Sequence, residues 1–136
     1  STVVGKKYRV GPVLIEKEKL LAFAREYDPL PFHLDEEYAK TTRHGGLIAP
    51  GVMSFMAVWS KFISRDYWGK NMIGGRSTKI VWLAPVYAGD SLTGEMTVTG
   101  KTRRNPYNGT LEITTRVYNQ HNALVIEDVT EMVVAG

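Results

Sequence analysis

Residues 51–65, GVMSFMAVWSKFISR, decide the fold. Pro50-Gly51 starts a helix that the spacing carries to about Arg65, through Val52, Met53, Phe55, Met56, Ala57, Val58, Trp59, Phe62 and Ile63. These side chains cover most of the helix circumference instead of one stripe, and a helix apolar nearly all round has to be wrapped by protein. The apolar run is broken by Ser54, Ser60 and Lys61, and it falls short of the roughly 20 residues a membrane span needs. In a chain of 136 residues the wrapper has to be a sheet curled around the helix.

Strands of that sheet are expected at Tyr8–Ile15, Ser77–Ala84, Ser91–Thr102, Thr110–Gln120 and Ala123–Val134. Leu92, Met96 and Val98 alternate with polar Ser91, Thr93, Glu95, Thr97 and Thr99, the period of a half-buried strand. Asn108-Gly109 suits a hairpin turn, since both residues accept positive φ. This also favours a turn over a glycosylation site at Asn108-Gly109-Thr110. Pro85–Asp90 and Gln120-His121-Asn122 mark further reversals. Leu20, Phe23, Ala24 and Tyr27 define an amphipathic helix over Glu16–Tyr27, which Pro29 and Pro31 bring to an end. Asp35 caps a short helix through Lys40. The pattern predicts one α+β domain over residues 1–136, a long central helix packed in an antiparallel sheet.

Apolar residues make up 43% and charged residues 23%, the balance of a globular chain. The chain has no cysteine, which excludes thiolate catalysis, a disulfide framework and Cys-ligated metal. Lys6, Lys7 and Arg9 interrupt any signal-peptide core in the first ten residues, and a cytoplasmic protein is expected. The formal charge of +3 comes from scattered Lys and Arg, without the dense stripe that nucleic acid requires. Such a surface suits an anionic small molecule.

The chemistry is concentrated in Tyr27-Asp28-Pro29-Leu30-Pro31-Phe32-His33-Leu34-Asp35. Two prolines stiffen the chain between a carboxylate and an imidazole, and general acid–base catalysis of a water reaction requires such groups in a fixed pose. An Asp and a His at this spacing do not by themselves make a site, since a helix end and a packed loop account for them. Gly45-Gly46-Leu47-Ile48-Ala49-Pro50-Gly51 leads from this segment into the central helix. At that helix start, backbone N–H groups are free and the dipole favours negative charge, which suits an oxyanion site, although Pro50-Gly51 is equally an ordinary helix entry. The three histidines, His33, His44 and His121, lack metal-ligand spacing.

Taken in order, these segments resemble the MaoC-like acyl dehydratases, or (R)-specific enoyl-CoA hydratases, of the hot-dog fold. That family shows D-x-N-P-x-H-x-D, then an alanine in the next helix, then G-x-I-x-H-G and a P-V-x-x-G-D corner. Asp28, Pro31, His33, Asp35, Ala39, Gly46, Ile48, Gly51, Pro85, Val86, Gly89 and Asp90 fall in register over nearly the whole chain. Leu30 stands in place of the family's Asn, Pro50 in place of its His, and Glu26-Tyr27 where Ser-Gly often precedes the aspartate.

The resemblance implies a hydro-lyase that adds water reversibly to a trans-2-enoyl-CoA, giving the (R)-3-hydroxyacyl-CoA. Asp28 and His33 would be its catalytic pair, and the N–H groups of Gly51 and Val52 would hold the thioester carbonyl. It implies no metal and no cofactor beyond the CoA of the substrate. It also implies edge-to-edge pairing into a homodimer or higher homo-oligomer, and Trp59, Phe62, Tyr67 and Trp68 are candidates for that seam or for the lining of an acyl tunnel. Arg76, Lys79, Lys101, Arg103 and Arg104 lie on or beside strands and are candidates for the CoA phosphates, although each is equally a solvated strand-edge charge. Two alternatives stay open: a hot-dog thioesterase and a non-catalytic acyl-thioester binding subunit. The first usually carries its acid on the central helix, where this chain has no Asp or Glu between Gly51 and Arg65.

Overall fold

In the computed structural model, residues 2–136 are described. Strand β1 (Lys7–Leu14) leads into helix α1 (Lys17–Tyr27), two short helices α2 (Pro31–Leu34) and α3 (Glu36–Lys40), and the long helix α4 (Gly51–Ile63). A single 3-10 turn at Gly69–Asn71 precedes β2 (Met72–Trp82), β3 (Ser91–Arg103), β4 (Asn108–Tyr118) and β5 (Leu124–Ala135). The five strands form one antiparallel sheet in the order β1-β3-β4-β5-β2. Three consecutive strands make its centre, and β1 and β2 are its edges.

One sheet face forms the core. Leu92, Met96 and Val98 of β3, Leu111, Ile113 and Val117 of β4, and Ile126 and Met132 of β5 are all buried. Helix α4 sets Phe55, Val58 and Phe62 against them, residues three and four apart and so on one side of the helix. Gly94 makes the approach close: a Cβ there would lie 2.4 Å from Val58 Cγ1. At the far end of α4, Phe62 packs against Tyr8, Trp68 and Tyr67 at ring separations of 5.3–5.9 Å. The arrangement is a single α+β hot-dog domain, as the pattern of residues predicts.

The structure corrects several expectations. The sheet wraps α4 without enclosing it, and Val52, Met56 and Ile63 remain 38–49% exposed. Phe62, Tyr67 and Trp68 pack on one another and on Tyr8 as an aromatic cluster at the end of α4, where Tyr67 stays 47% exposed. Strand β2 begins at Met72 instead of Ser77, because two register irregularities let Gly74 and Gly75 join it. Asn108-Gly109 opens β4; the reversal before it is made by Asn105, whose Oδ1 accepts from the N–H groups of Tyr107 and Asn108 at 2.8 and 2.9 Å.

A polar cluster lies within the buried face. Asp128 of β5 is fully buried and accepts hydrogen bonds from the hydroxyls of Thr78 and Thr130, whose oxygens lie 2.9 Å apart. Desolvation raises the Asp128 pKa above the ordinary carboxylate value, and the two threonine bonds oppose that shift by less.

Candidate active site

Asp28 closes α1. Its N–H bonds to the carbonyl of Ala24 at 2.9 Å, and Pro29 prevents another turn. Pro31 then occupies the first turn of α2, where its missing N–H costs nothing. This short helix was not anticipated from the two prolines, and it turns His33 back towards Asp28. His33 Nε2 lies 3.3 Å from Asp28 Oδ2, with the imidazole 6% exposed and the carboxylate 37% exposed.

The other ring nitrogen fixes the chemistry of the pair. His33 Nδ1 lies 2.7 Å from the carbonyl oxygen of Ile48. A carbonyl only accepts, so Nδ1 carries the proton and Nε2 is the nitrogen that exchanges one. A bare Nε2 and a carboxylate are both acceptors. Their contact therefore requires a proton shared between them or a water that donates to them, which is the arrangement a water-adding acid–base pair needs.

The Ile48 carbonyl is itself held in place. Ile48 forms an isolated antiparallel bridge with Tyr87, Ala49 N–H donates to Val86 at 2.7 Å, and Ala88 N–H donates to Leu47 at 3.0 Å. Asp90 anchors this corner, accepting from Tyr87 N–H at 2.8 Å and from Gln120 Nε2 at 2.9 Å. Gly89 supplies the positive φ of 90° that the turn requires. The Pro85–Asp90 segment thus supports the site through backbone bonds, without entering it chemically.

Asp28, His33, Gly51 and Val52 line one cavity of about 800 Å³, within the usual range for small-molecule sites. Gly51 and Val52 open α4, which begins at Pro50 with no capping side chain, so no cap competes for the first-turn N–H groups. Much of the remaining lining is apolar, with Trp82 and Leu83 among its residues. Ser54 also reaches the cavity, but its hydroxyl donates to the Pro50 carbonyl at 3.3 Å and serves the helix. Among the described residues no group of three or more His, Asp or Glu is gathered as a metal would need.

The basic candidates lie elsewhere. None of Arg76, Lys79, Lys101, Arg103 and Arg104 lines this cavity. Arg76 pairs with Glu131 at 3.6 Å, and Lys79 is opposite Val129, on the sheet face away from Asp128 and Thr130. Arg103 donates to the carbonyls of Asn105 and Pro106, both at 3.4 Å. Two cavity residues had no assigned role in the sequence, Trp82 and His44. Trp82 reads there only as the end of a strand. His44 lies in a Gly-rich loop whose path is set by Tyr87, whose hydroxyl donates to the His44 carbonyl at 2.7 Å.

A family model described as "MaoC like domain" matches residues 1–120. The chain belongs to the MaoC-like family. This MaoC-like chain is 30% identical over 127 residues to the (R)-specific enoyl-CoA hydratase of Aeromonas caviae, covering 93% of the chain and 90% of that protein. It is similar in structure to a MaoC-like dehydratase from Rhodospirillum rubrum, with a TM-score of 0.89 and 29% identity over 98% of this chain and 93% of that one. The unliganded R-hydratase of Pseudomonas aeruginosa gives a TM-score of 0.80 at 30% identity, over 98% of this chain and 82% of that one.

Proposed function

We propose that this MaoC-like chain is an enoyl-CoA hydratase that adds water across the double bond of a trans-2-enoyl-CoA, giving the (R)-3-hydroxyacyl-CoA. The observation that carries the reading is the His33–Asp28 contact of 3.3 Å, on a ring whose other nitrogen is locked to Ile48. Family membership supports hydro-lyase chemistry of this general kind, and the R configuration rests on the R-specific hydratases among the relatives.

In the forward direction a water held between Asp28 and His33 gives up a proton to the pair, and its oxygen bonds to C3. The electrons of the C2=C3 bond move towards the thioester oxygen, where the N–H groups of Gly51 and Val52 stabilise the negative charge. The pair then returns a proton to C2. Water is consumed, the pair ends as it began, and the reverse sequence is a dehydration. The two groups meet at one proton site, so the reading assigns the proton transfers to the pair as a unit.

We further propose that the working unit is a homodimer. The uncovered side of α4, with Val52, Met56 and Ile63, and the unpaired edge of β2 together offer a second copy an apolar face and a free strand.

The test is the absorbance of the conjugated thioester across a panel of enoyl-CoAs from crotonyl-CoA upward, including branched chains. Loss of absorbance with formation of the R product is expected. No loss with any member, or release of free CoA thiol from saturated acyl-CoAs, would move the assignment to another activity.

A further inference from the structure

Asp128, Thr78 and Thr130 meet in a closed ring of three oxygen contacts. The Thr78 hydroxyl meets Asp128 Oδ2, the Thr130 hydroxyl meets Asp128 Oδ1 at 2.5 Å, and the two hydroxyl oxygens lie 2.9 Å apart. All three contacts are close enough for a hydrogen bond, and each requires a proton of its own. The hydroxyls supply one proton apiece. If both donate to an ionised carboxylate, the 2.9 Å contact sets two lone pairs against each other. A carboxyl that carries a proton supplies the third and reverses one of the two bonds, so that each group donates once and accepts once.

We infer that Asp128 holds a proton in the folded chain, and that this proton closes the ring and clasps the edge strand β2 to β5. The surroundings agree. Beside Asp128 on the buried face stand Ile80 of β2 and Thr115 of β4, with Ile126 and Thr130 along β5 itself. Lys79 of β2, Glu112 and Arg116 of β4, and Glu127 and Glu131 of β5 alternate onto the opposite face, where Arg76 joins Glu131 at 3.6 Å. Helix α4 carries one charged residue, Lys61, and that side chain is exposed. An ionised Asp128 would have no cation beside it on any of these elements, and a buried carboxylate so placed takes up a proton instead. Desolvation raises its pKa in the same sense. Thr115 gives a second sign. Its hydroxyl is buried directly across β4 from Asp128 and makes no hydrogen bond among the described residues, although the spare lone pairs of an ionised carboxylate would attract it.

The clasp bears on function through β2. Thr78 is opposite Thr130 in the ladder, on a strand that is paired on one side only. That strand ends at Trp82, and Trp82, Leu83, Ala84, Pro85 and Val86 line the cavity of Asp28 and His33. Release of the proton to solvent leaves two donors for three contacts and a charge without a cation. The β2–β5 pairing, and with it one part of the cavity lining, is therefore linked to a proton that the Asp28–His33 pair does not use.

The experiment compares the full-length wild-type chain with Asp128→Asn and Thr130→Val by infrared titration and by hydrogen exchange. In Asp128→Asn the amide donates to one threonine and accepts from the other, so the ring closes without a titratable proton. The wild type should keep the C=O band of one carboxylic acid at pH values where exposed carboxylates are ionised, and Asp128→Asn should lack that band. Exchange of the β2 amides, corrected for its intrinsic pH dependence, should then rise about tenfold per pH unit in the wild type between the ordinary and the raised carboxyl pKa, one proton being released on opening. It should stay level in Asp128→Asn and be fast already at low pH in Thr130→Val. Absence of the carboxylic acid band from the wild type, which needs no variant to be read, would overturn the proton. A band accompanied by β2 exchange that follows the same pH course in wild type and Asp128→Asn would overturn the clasp.

Discussion

The carbonyl of Ile48 accepts the Nδ1–H of His33 at 2.7 Å, and this bond determines that Nε2 is the nitrogen presented to Asp28. The loop that carries Ile48 bridges to Tyr87, whose N–H is held by the Asp90 carboxylate at 2.8 Å. A buried carboxylate at a turn thereby sets the orientation of an imidazole in another part of the chain.

Asp90→Ala should therefore lower both stability and activity. It leaves the Tyr87 N–H and Gln120 Nε2 without their acceptor, a loss of about 1–3 kcal/mol for the buried donor. Urea denaturation reads the first effect and hydration of crotonyl-CoA the second. Full activity in the variant would show that the corner does not orient His33.

Gly94→Ala tests how α4 is held on the sheet. Its new Cβ would lie 2.4 Å from Val58 Cγ1, and both residues are in the core. Overpacking of this kind costs about 1–3 kcal/mol. Val58→Ala should recover part of that loss in the double variant, because the two residues share one contact. Equal denaturation midpoints for wild type and Gly94→Ala would contradict the packing described.

Asp128 makes a pH-dependent contribution of determined sign. Burial raises its folded-state pKa, so the folded chain holds the proton at pH values where the unfolded chain has released it. Within that window the folded state binds more protons, and stability falls as pH rises from the ordinary carboxylate value to the raised one, then levels off. Asp128→Asn removes the charge and keeps hydrogen-bonding groups for Thr78 and Thr130. Its stability relative to wild type should increase as pH rises through the window, measured by thermal melts across a pH series. A difference independent of pH would contradict the buried charge.

Met56→Glu addresses the uncovered side of α4. Met56 is 44% exposed on that side, and a carboxylate there would have to be desolvated on association. Sedimentation equilibrium should give a dimer for wild type and a monomer for the variant. A monomeric wild type would remove the homodimer from the account.

Much of the fold is legible in the sequence because its strongest periodicities are those of the core. Leu92, Met96 and Val98 alternate as they pack, and Phe55, Val58 and Phe62 recur as α4 presents them. The start of β2 was hidden because Gly74 and Gly75 carry no side chain to show a period, and the strand is irregular there. Helix α2 was hidden because prolines read as breaks, although Pro31 is well suited to a first turn. The apolar circumference of α4 correctly signals burial, but the chain itself leaves Val52, Met56 and Ile63 exposed. In the site, Asp28 and His33 stand out as candidates through the family resemblance, since their residue types and spacing also fit a helix end and a packed loop. The role of Ile48 depends on a backbone carbonyl that meets the imidazole only when distant segments come together.

Hydration of crotonyl-CoA by wild type, Asp28→Asn, His33→Ala and the double variant is the most direct test of the Asp28–His33 pair. Each single change should lower kcat by about 10²–10⁴ with the circular dichroism spectrum unchanged, and the double variant should be little worse than the weaker single one, because the two groups act as a unit. Hydration at the wild-type rate by Asp28→Asn or His33→Ala would contradict the account.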